Sequence, residues 1–209
     1  MAACQTETLE GKLALPDIAL PKRSEPLVLP WPTRGRPGGF VQLDRAEDWR
    51  TFIGQLSLDP LLPDIIGLKY ARAQKLYLLG WIDLDLIKAG ELAALVALEL
   101  AVRDRYGARF KPRERTLAAM LRHMVEVDGL HDAKLPVTVI CGGTAVGQLT
   151  GDIRPTLAER RNAMAHGDPF DGAPTGGLLE LVRDLIEYAY RDYLAEGRRL
   201  GVQASRAVT

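Results

Sequence analysis

Residues 160–167 read Arg-Arg-Asn-Ala-Met-Ala-His-Gly, which places guanidinium, carboxamide and imidazole groups within about two helical turns. An imidazole can take or give a proton near neutrality. A guanidinium clamps a phosphate through two parallel hydrogen bonds and stabilises the charge that builds on it during displacement. A carboxamide can hold a phosphate oxygen or orient the imidazole. Together these groups suit cleavage of an RNA phosphodiester through attack by the ribose 2′-OH, a reaction that asks the protein mainly for positioning and needs no metal. In this scheme Arg161 stabilises the phosphate, His166 handles the proton and Asn162 assists.

The element that must position them is a short helix. Thr156-Leu157-Ala158-Glu159 has the form of a capping box, in which each side chain satisfies the other residue's backbone N–H. Gly167 suits the position just past the last turn, and Pro169 prevents continuation. His166 therefore falls in the last turn, where free carbonyls and the helix dipole favour a cation. Asn162 and His166, four apart, share a face. Arg161 and His166, five apart, lie roughly 140° from one another around the axis. One helix presents such a pair awkwardly, which points to a composite site completed across a dimer. The bland alternative is an ordinary helix end, where Arg and His are common because both suit the dipole.

The rest of the chain reads as helices. Residues 1–40 form a Pro- and Gly-rich arm, with six prolines between Pro16 and Pro37, and Leu27, Val28, Leu29 and Trp31 free to lie along a groove of the main body. A helix opens at Asp44 as N-cap, with Trp49, Phe52, Ile53 and Leu56 on one face. A second runs from near Leu61 to Gly80, with Ile65, Leu68, Leu76 and Leu79 among its apolar residues. Asp83 opens a third, apolar nearly all round from Leu92 to Val102, which marks a central core helix ending at Gly107. Residues 113–128 carry the stripe Leu117, Met120, Leu121 and Met124. Residues 136–150 are β-branched and glycine-rich, and form either a small hairpin around Gly142-Gly143 or a loop with a distorted helix start. A last helix spans Gly176 to Arg198, and 201–209 is a tail. The expectation is an all-α bundle of five or six helices over residues 41–200, with the arm and a small β-hairpin insert as additions.

Composition bounds the function. The chain has 209 residues, 47% of them apolar and 26% charged, as in ordinary globular domains. Lys plus Arg equal Asp plus Glu, at 27 each, so nucleic acid would have to be met by a local patch. Cys4 and Cys141 make neither metal spacing nor a disulfide framework, which suits a reducing cytoplasm. The opening MAACQTETLE lacks the pattern of a signal peptide, and no apolar run spans a membrane.

Arg161-Asn162-Ala163-Met164-Ala165-His166 resembles the Arg-x4–6-His motif of the HEPN superfamily (higher eukaryotes and prokaryotes nucleotide-binding domain), in which Asn after the Arg is frequent. GELAALVALELAVRDRYG at 90–107 is similar to the early core helix of many HEPN proteins, with Glu99 and Arg103 in the place of an acidic residue followed four later by Arg. The order of elements from about 60 to 198 also agrees. The resemblance implies an all-α fold, a homodimer with two motif helices facing across a cleft, and a metal-independent endoribonuclease of a toxin–antitoxin or anti-phage system, with an antitoxin or other defence protein as partner and no cofactor. It also implies the alternative of a non-catalytic dimer that binds nucleotides or proteins. Arg161 and His166 would then be catalytic and Asn162 auxiliary. Arg160 also falls within the permitted spacing.

Three further groups complete the reading. Glu99, a carboxylate in an apolar helix, needs a partner: Arg103 one turn on, or Arg161 or Asn162 from the motif helix. Residues 103–115 gather Arg103, Arg105, Arg109 and Lys111 with Tyr106 and Phe110, which suits either a solvated connection or contact with a single-stranded RNA backbone and its bases. His123, His131, Asp128 and Asp132 fit no compact metal motif, and no metal is assigned to them.

Overall fold

The computed structural model describes residues 13–167 and 173–207, with side chains as far as Leu200. Pro169, the first twelve residues of the arm and the last two of the tail lie outside the described residues. Among the described residues helices dominate, with only a two-stranded sheet beside them, which makes the fold all-α.

At its centre runs α3 (Asp85–Tyr106). Ile87, Ala94, Leu95, Ala97, Leu98, Ala101 and Val102 have no solvent exposure, as the apolar run predicts. Asp83 accepts the Asp85 N–H at 3.0 Å and so caps the helix slightly ahead of its first turn. At the far end Gly107 stays right-handed, with φ −57°, and the chain continues into a 3-10 turn, Gly107–Arg109, rather than reversing there. Around α3 pack α2 (Asp64–Leu79), α4 (Leu117–Glu126), α7 (Leu157–Ala165) and α8 (Leu178–Ala189). The α4 stripe of Leu117, Met120, Leu121 and Met124 is buried as expected. In α2 the buried face is Ile66, Tyr70, Ala73, Gln74, Tyr77 and Leu78, while Ile65 stands exposed. Tyr77 and Ala73 meet α3 where the two helices approach closely at Gly90.

Four expectations change. The arm is irregular, as expected, only over residues 14–26 of its described part. Leu27–Pro30 (β1) pairs antiparallel with Phe40–Leu43 (β2), in the register Leu27↔Leu43 and Leu29↔Val41. Pro26 precedes β1 and Pro30 is its last residue, opposite Phe40, so neither interrupts the pairing. Leu27, Leu29 and Trp31 alternate into the core, so the boundary expected at residue 40 falls inside a hairpin. The helix expected from Asp44 is α1 (Ala46–Gly54), which starts after Arg45, while Asp44 accepts from the Gln42 amide at 3.3 Å. The hairpin expected at 136–150 is absent: α5 (Pro136–Cys141) and α6 (Gly147–Thr150) occupy that stretch. Pro136 presets the first turn of α5, and Gly142 at φ +81° ends it. Asp132 then holds the connection, accepting from Ala145 N at 2.7 Å, Val146 N at 3.1 Å and the Thr144 hydroxyl at 2.7 Å. Finally, the last helix breaks at Tyr190, whose hydroxyl donates to Asp104 at 2.5 Å, and α9 (Arg191–Ala207) runs past the expected end at Arg198 into the tail.

A row of carboxylates on α8 ties the irregular segments down. Glu180 accepts the Trp31 indole N–H at 3.3 Å, Asp184 the Val137 N–H at 2.7 Å and Glu187 the Asp59 N–H at 3.1 Å. Arg183 lies between them, 2.8 Å from Asp184 and 3.5 Å from Glu180. Burial pushes all three carboxyls above their ordinary range, against the pull of these partners. A carboxyl raised in the folded state binds more protons there than in the unfolded chain, so its contribution is present at low pH and is lost as pH rises.

Two predictions follow from this packing. A Cβ at Gly90 would stand 2.7 Å from Tyr77 Cδ2 and 3.3 Å from Ala73 O. Gly90→Ala is expected to lower stability by roughly 1–3 kcal/mol, read as a lower urea midpoint at unchanged m-value. Glu180→Gln keeps an acceptor for Trp31 without the buried charge. Its thermal midpoint should exceed that of the wild type at pH 7, with the difference vanishing towards pH 4; a lower midpoint at pH 7 would refute the assignment.

Candidate active site

The motif helix α7 begins as its sequence dictates. Thr156 Oγ1 accepts the Glu159 N–H at 3.0 Å, and the Thr156 N–H donates to Glu159 Oε2 at 2.9 Å. That backbone donor holds the Glu159 carboxyl below its usual range. Leu157 and Ala158 are buried and anchor the first turn. The helix closes at His166, whose N–H bonds Asn162 O at 3.0 Å and Ala163 O at 3.1 Å. Gly167 follows at φ +78°, the left-handed conformation that lets the chain leave the helix.

Along α7 the two arginines go different ways. Arg161 turns towards α3, where its Nη2 lies 2.6 Å from Glu99 Oε2. The other Glu99 oxygen takes Arg103 at 2.8 Å. Of the three partners weighed for Glu99, Arg103 and Arg161 are both used: one carboxylate bridges two guanidiniums, which leaves the trio with net positive charge. Arg161 Nη1 donates to Asn162 Oδ1 at 3.1 Å, and its Nε is buried without a hydrogen-bond partner. The Arg161 side chain is 27% exposed, enough for part of the guanidinium to meet a ligand.

Arg160 faces a second carboxylate of α3. Its Nη1 donates to Thr175 Oγ1 at 3.1 Å, and the Thr175 N–H donates to Glu91 Oε1. Lys88 lies 3.2 Å from Glu91 Oε2 and donates to Ala173 O at 2.8 Å. Glu91 is 1% exposed, and the Nε of Arg160, like that of Arg161, is buried without a partner. Sequence reasoning passed over Glu91, although it carries the signal that singled out Glu99, a carboxylate in an apolar helical run. Beside it opens a pocket of about 460 Å³ between α7, Glu91 and the Arg154-Pro155 turn.

His166 stands exposed at the end of α7. Among the described residues no hydrogen bond or ion pair joins its ring to Arg161. The structure thus brings Arg161, Asn162, Glu99 and Arg103 together, with His166 exposed one turn on from Asn162.

The basic segment is divided. Arg103 shares Glu99 with the motif. Arg105 donates to Ala189 O at 3.3 Å and lies 5.1 Å over the Tyr190 ring. Arg109 stands 2.9 Å from His123 Nε2, 3.6 Å from Asp128 and 5.5 Å over Tyr106. Lys111 is exposed. Asp128 also takes Arg191 at 3.3 Å; although burial opposes it, Tyr106 and these arginines hold its carboxyl below the usual range. His123 and Asp128 thus join the end of α3 to α4 and α9, while Asp132 serves the α5–α6 connection.

The sequence matches no protein-family model and no curated protein, and no solved structure matches the chain. Among the described residues no helix is long and apolar enough to cross a membrane.

Because α7 depends on its capping box, Thr156→Ala is expected to cost about 1 kcal/mol of stability. Chemical denaturation reads this directly, and an unchanged midpoint would show that tertiary contacts alone hold the helix start.

Proposed function

We propose that this chain is a metal-independent endoribonuclease of the HEPN type, acting as a homodimer and serving as a toxin or an anti-phage effector. The observation that carries the reading is the clamp of Arg161 by Glu99: the motif guanidinium is oriented by a partly buried carboxylate, with Arg103 alongside, while His166 is free in solvent at the helix end. Such an arrangement suits phosphodiester chemistry. Arg161 and Arg103 draw the phosphate, and Arg161 stabilises the charge that develops on it. His166 takes the proton of the ribose 2′-OH as the 2′-oxygen bonds to phosphorus. The bond to the 5′-oxygen breaks, a second imidazole protonates that oxygen, and the products are a 2′,3′-cyclic phosphate and a 5′-hydroxyl end. The separation of His166 from Arg161 around α7 is the reason for two chains: a facing copy of the helix supplies the groups that one copy turns away.

A second reading has its own support. Both Nη groups of Arg161 already have protein partners, Glu99 and Asn162. That suits a non-catalytic dimer in which the trio is structural and the chain binds nucleotides or a partner protein.

The purified dimer is expected to cut RNA with EDTA present. His166→Ala should lower the rate by about 10²–10⁴-fold with an unchanged circular dichroism spectrum, and Arg161→Lys should not restore what Arg161→Ala loses, because an ammonium lacks the planar fork. RNA bound but never cut would select the second reading. Growth arrest on expression, relieved by His166→Ala, is the corresponding outcome in cells.

A further inference from the structure

Beyond the end of α3, cations from four separate segments meet in one ridge. Arg109 ends the 3-10 turn Gly107–Arg109, Arg115 follows the turn Pro112–Glu114, Lys134 ends the turn Asp132–Lys134, and Arg191 opens α9. Contacts run from one to the next. Arg115 Nε donates to Phe110 O at 3.0 Å, and the Phe110 ring meets the His123 ring edge-on at 5.5 Å. Arg109 is 2.9 Å from His123 and 3.6 Å from one oxygen of Asp128, whose other oxygen takes Arg191 at 3.3 Å. The Arg191 guanidinium lies 4.4 Å over the Tyr188 ring, and the Lys134 ammonium is 5.8 Å from the centre of the same ring.

Most of the groups that hold these cations are neutral. Arg115 is held by a carbonyl, Lys134 by Gly129 O at 2.8 Å, and Arg191 also by Tyr188 O at 3.0 Å. Carbonyls and rings fix a cation in place and leave its charge intact. Asp128 serves two arginines and cancels the charge of one. Lys111 and Arg113 stand exposed in the same connection as Arg115. Glu114, Asp128, Asp132 and Asp192 lie among these residues, fewer than the cations. The chain as a whole carries 27 residues of each sign, so the excess is local. Like charges gathered in this way repel one another and favour an anionic partner. They are also within its reach: Arg109 is 54% and Arg191 36% exposed, and Arg115 and Lys134 are exposed.

A row of cations meets charge repeated along a line, as in a phosphodiester backbone. The rings of Tyr106 and Tyr188 are buried beneath the arginines, so they offer bases no platform, and contact is with phosphates alone. The turn that carries Arg109 begins one helical turn beyond Arg103, which shares Glu99 with Arg161.

We propose that this ridge binds the phosphate backbone of single-stranded RNA without regard to sequence and leads the strand towards Arg103 and the motif helix. The choice of RNA and its path rest on the ribonuclease reading, since attack by a 2′-OH needs a strand free to bring that oxygen in line with the phosphorus. The binding of a phosphate backbone does not rest on it.

The test is fluorescence anisotropy of the full chain, in EDTA, with a labelled 2′-O-methyl oligouridine, which cannot be cut. The logarithm of the binding constant should fall with the logarithm of salt concentration at a slope of about −3, from roughly 0.7 for each of the four held cations. Lys134→Gln and Arg115→Gln change exposed side chains. Each should weaken binding at least threefold at low salt and reduce the slope by about 0.7. Arg45→Gln, which removes an exposed cation beside α1, should do neither. Circular dichroism checks each fold, and if a variant unfolds the wild-type slope decides. A wild-type slope near zero, Lys134→Gln and Arg115→Gln both indistinguishable from wild type, or a polyglutamate peptide bound more tightly than the oligouridine would each overturn the assignment, the last by giving the ridge to an acidic protein. Binding with the expected slope by a chain that cuts no RNA keeps the ridge and removes the ribonuclease reading. RNA cleavage with KM unchanged in both variants, and no salt-dependent binding, does the reverse.

Discussion

Two carboxylates, Glu91 and Glu99, set among the apolar residues of α3 constrain everything around the site. A carboxylate withdrawn from water must find donors or neutralise. Glu91 is almost completely enclosed, and the donors it takes are Lys88 on its own helix and the backbone of Thr175. Glu99, two turns further on, takes Arg103 and Arg161. The motif helix and Thr175 are therefore each docked on α3, through charge and hydrogen bonds as well as through the apolar contacts of Leu157 and Ala158. The motif helix is short and has only those two fully buried apolar residues. Without the two carboxylates little would settle its orientation.

That docking gives α7 its chemical asymmetry. Arg161 is drawn towards the core by Glu99, Arg160 towards the 173–175 segment, and His166 is left in solvent where the helix stops. The groups diverge because adjacent residues on a helix are separated by about 100°. A helix that is anchored on one side can offer its remaining functional groups only outward, so a second chain, or a substrate that wraps the helix, is needed to bring them to one atom.

Patterns local to a few residues were legible in advance. The capping box of Thr156 and Glu159, the stop at Gly167, the burial of Ala94, Leu95, Ala97, Leu98, Ala101 and Val102, and the stripe on α4 all depend on neighbours within a turn or two, and all appear where the spacing puts them. Misreadings occurred where distant partners decide. Val137, Val139 and Ile140 have strand-forming side chains, yet Pro136 and the Asp184 carboxylate, which accepts the Val137 N–H, make the segment helical. The prolines of the arm suggested irregularity, yet Leu27, Leu29 and Trp31 meet a waiting groove and a β-partner across nine residues.

From its sequence alone the chain determined the helical class, the limits of the motif helix and the identity of the groups on it, because capping, helical period and side-chain chemistry act over a few residues. Tertiary structure decided which partner Glu99 takes, that Glu91 matters at all, that Arg160 and Arg161 face different surroundings, and that the basic run at 103–115 splits among three neighbourhoods. Each of those outcomes depends on where a buried charge finds its counterpart, and that counterpart comes from whichever segment the packing of α3 brings within reach.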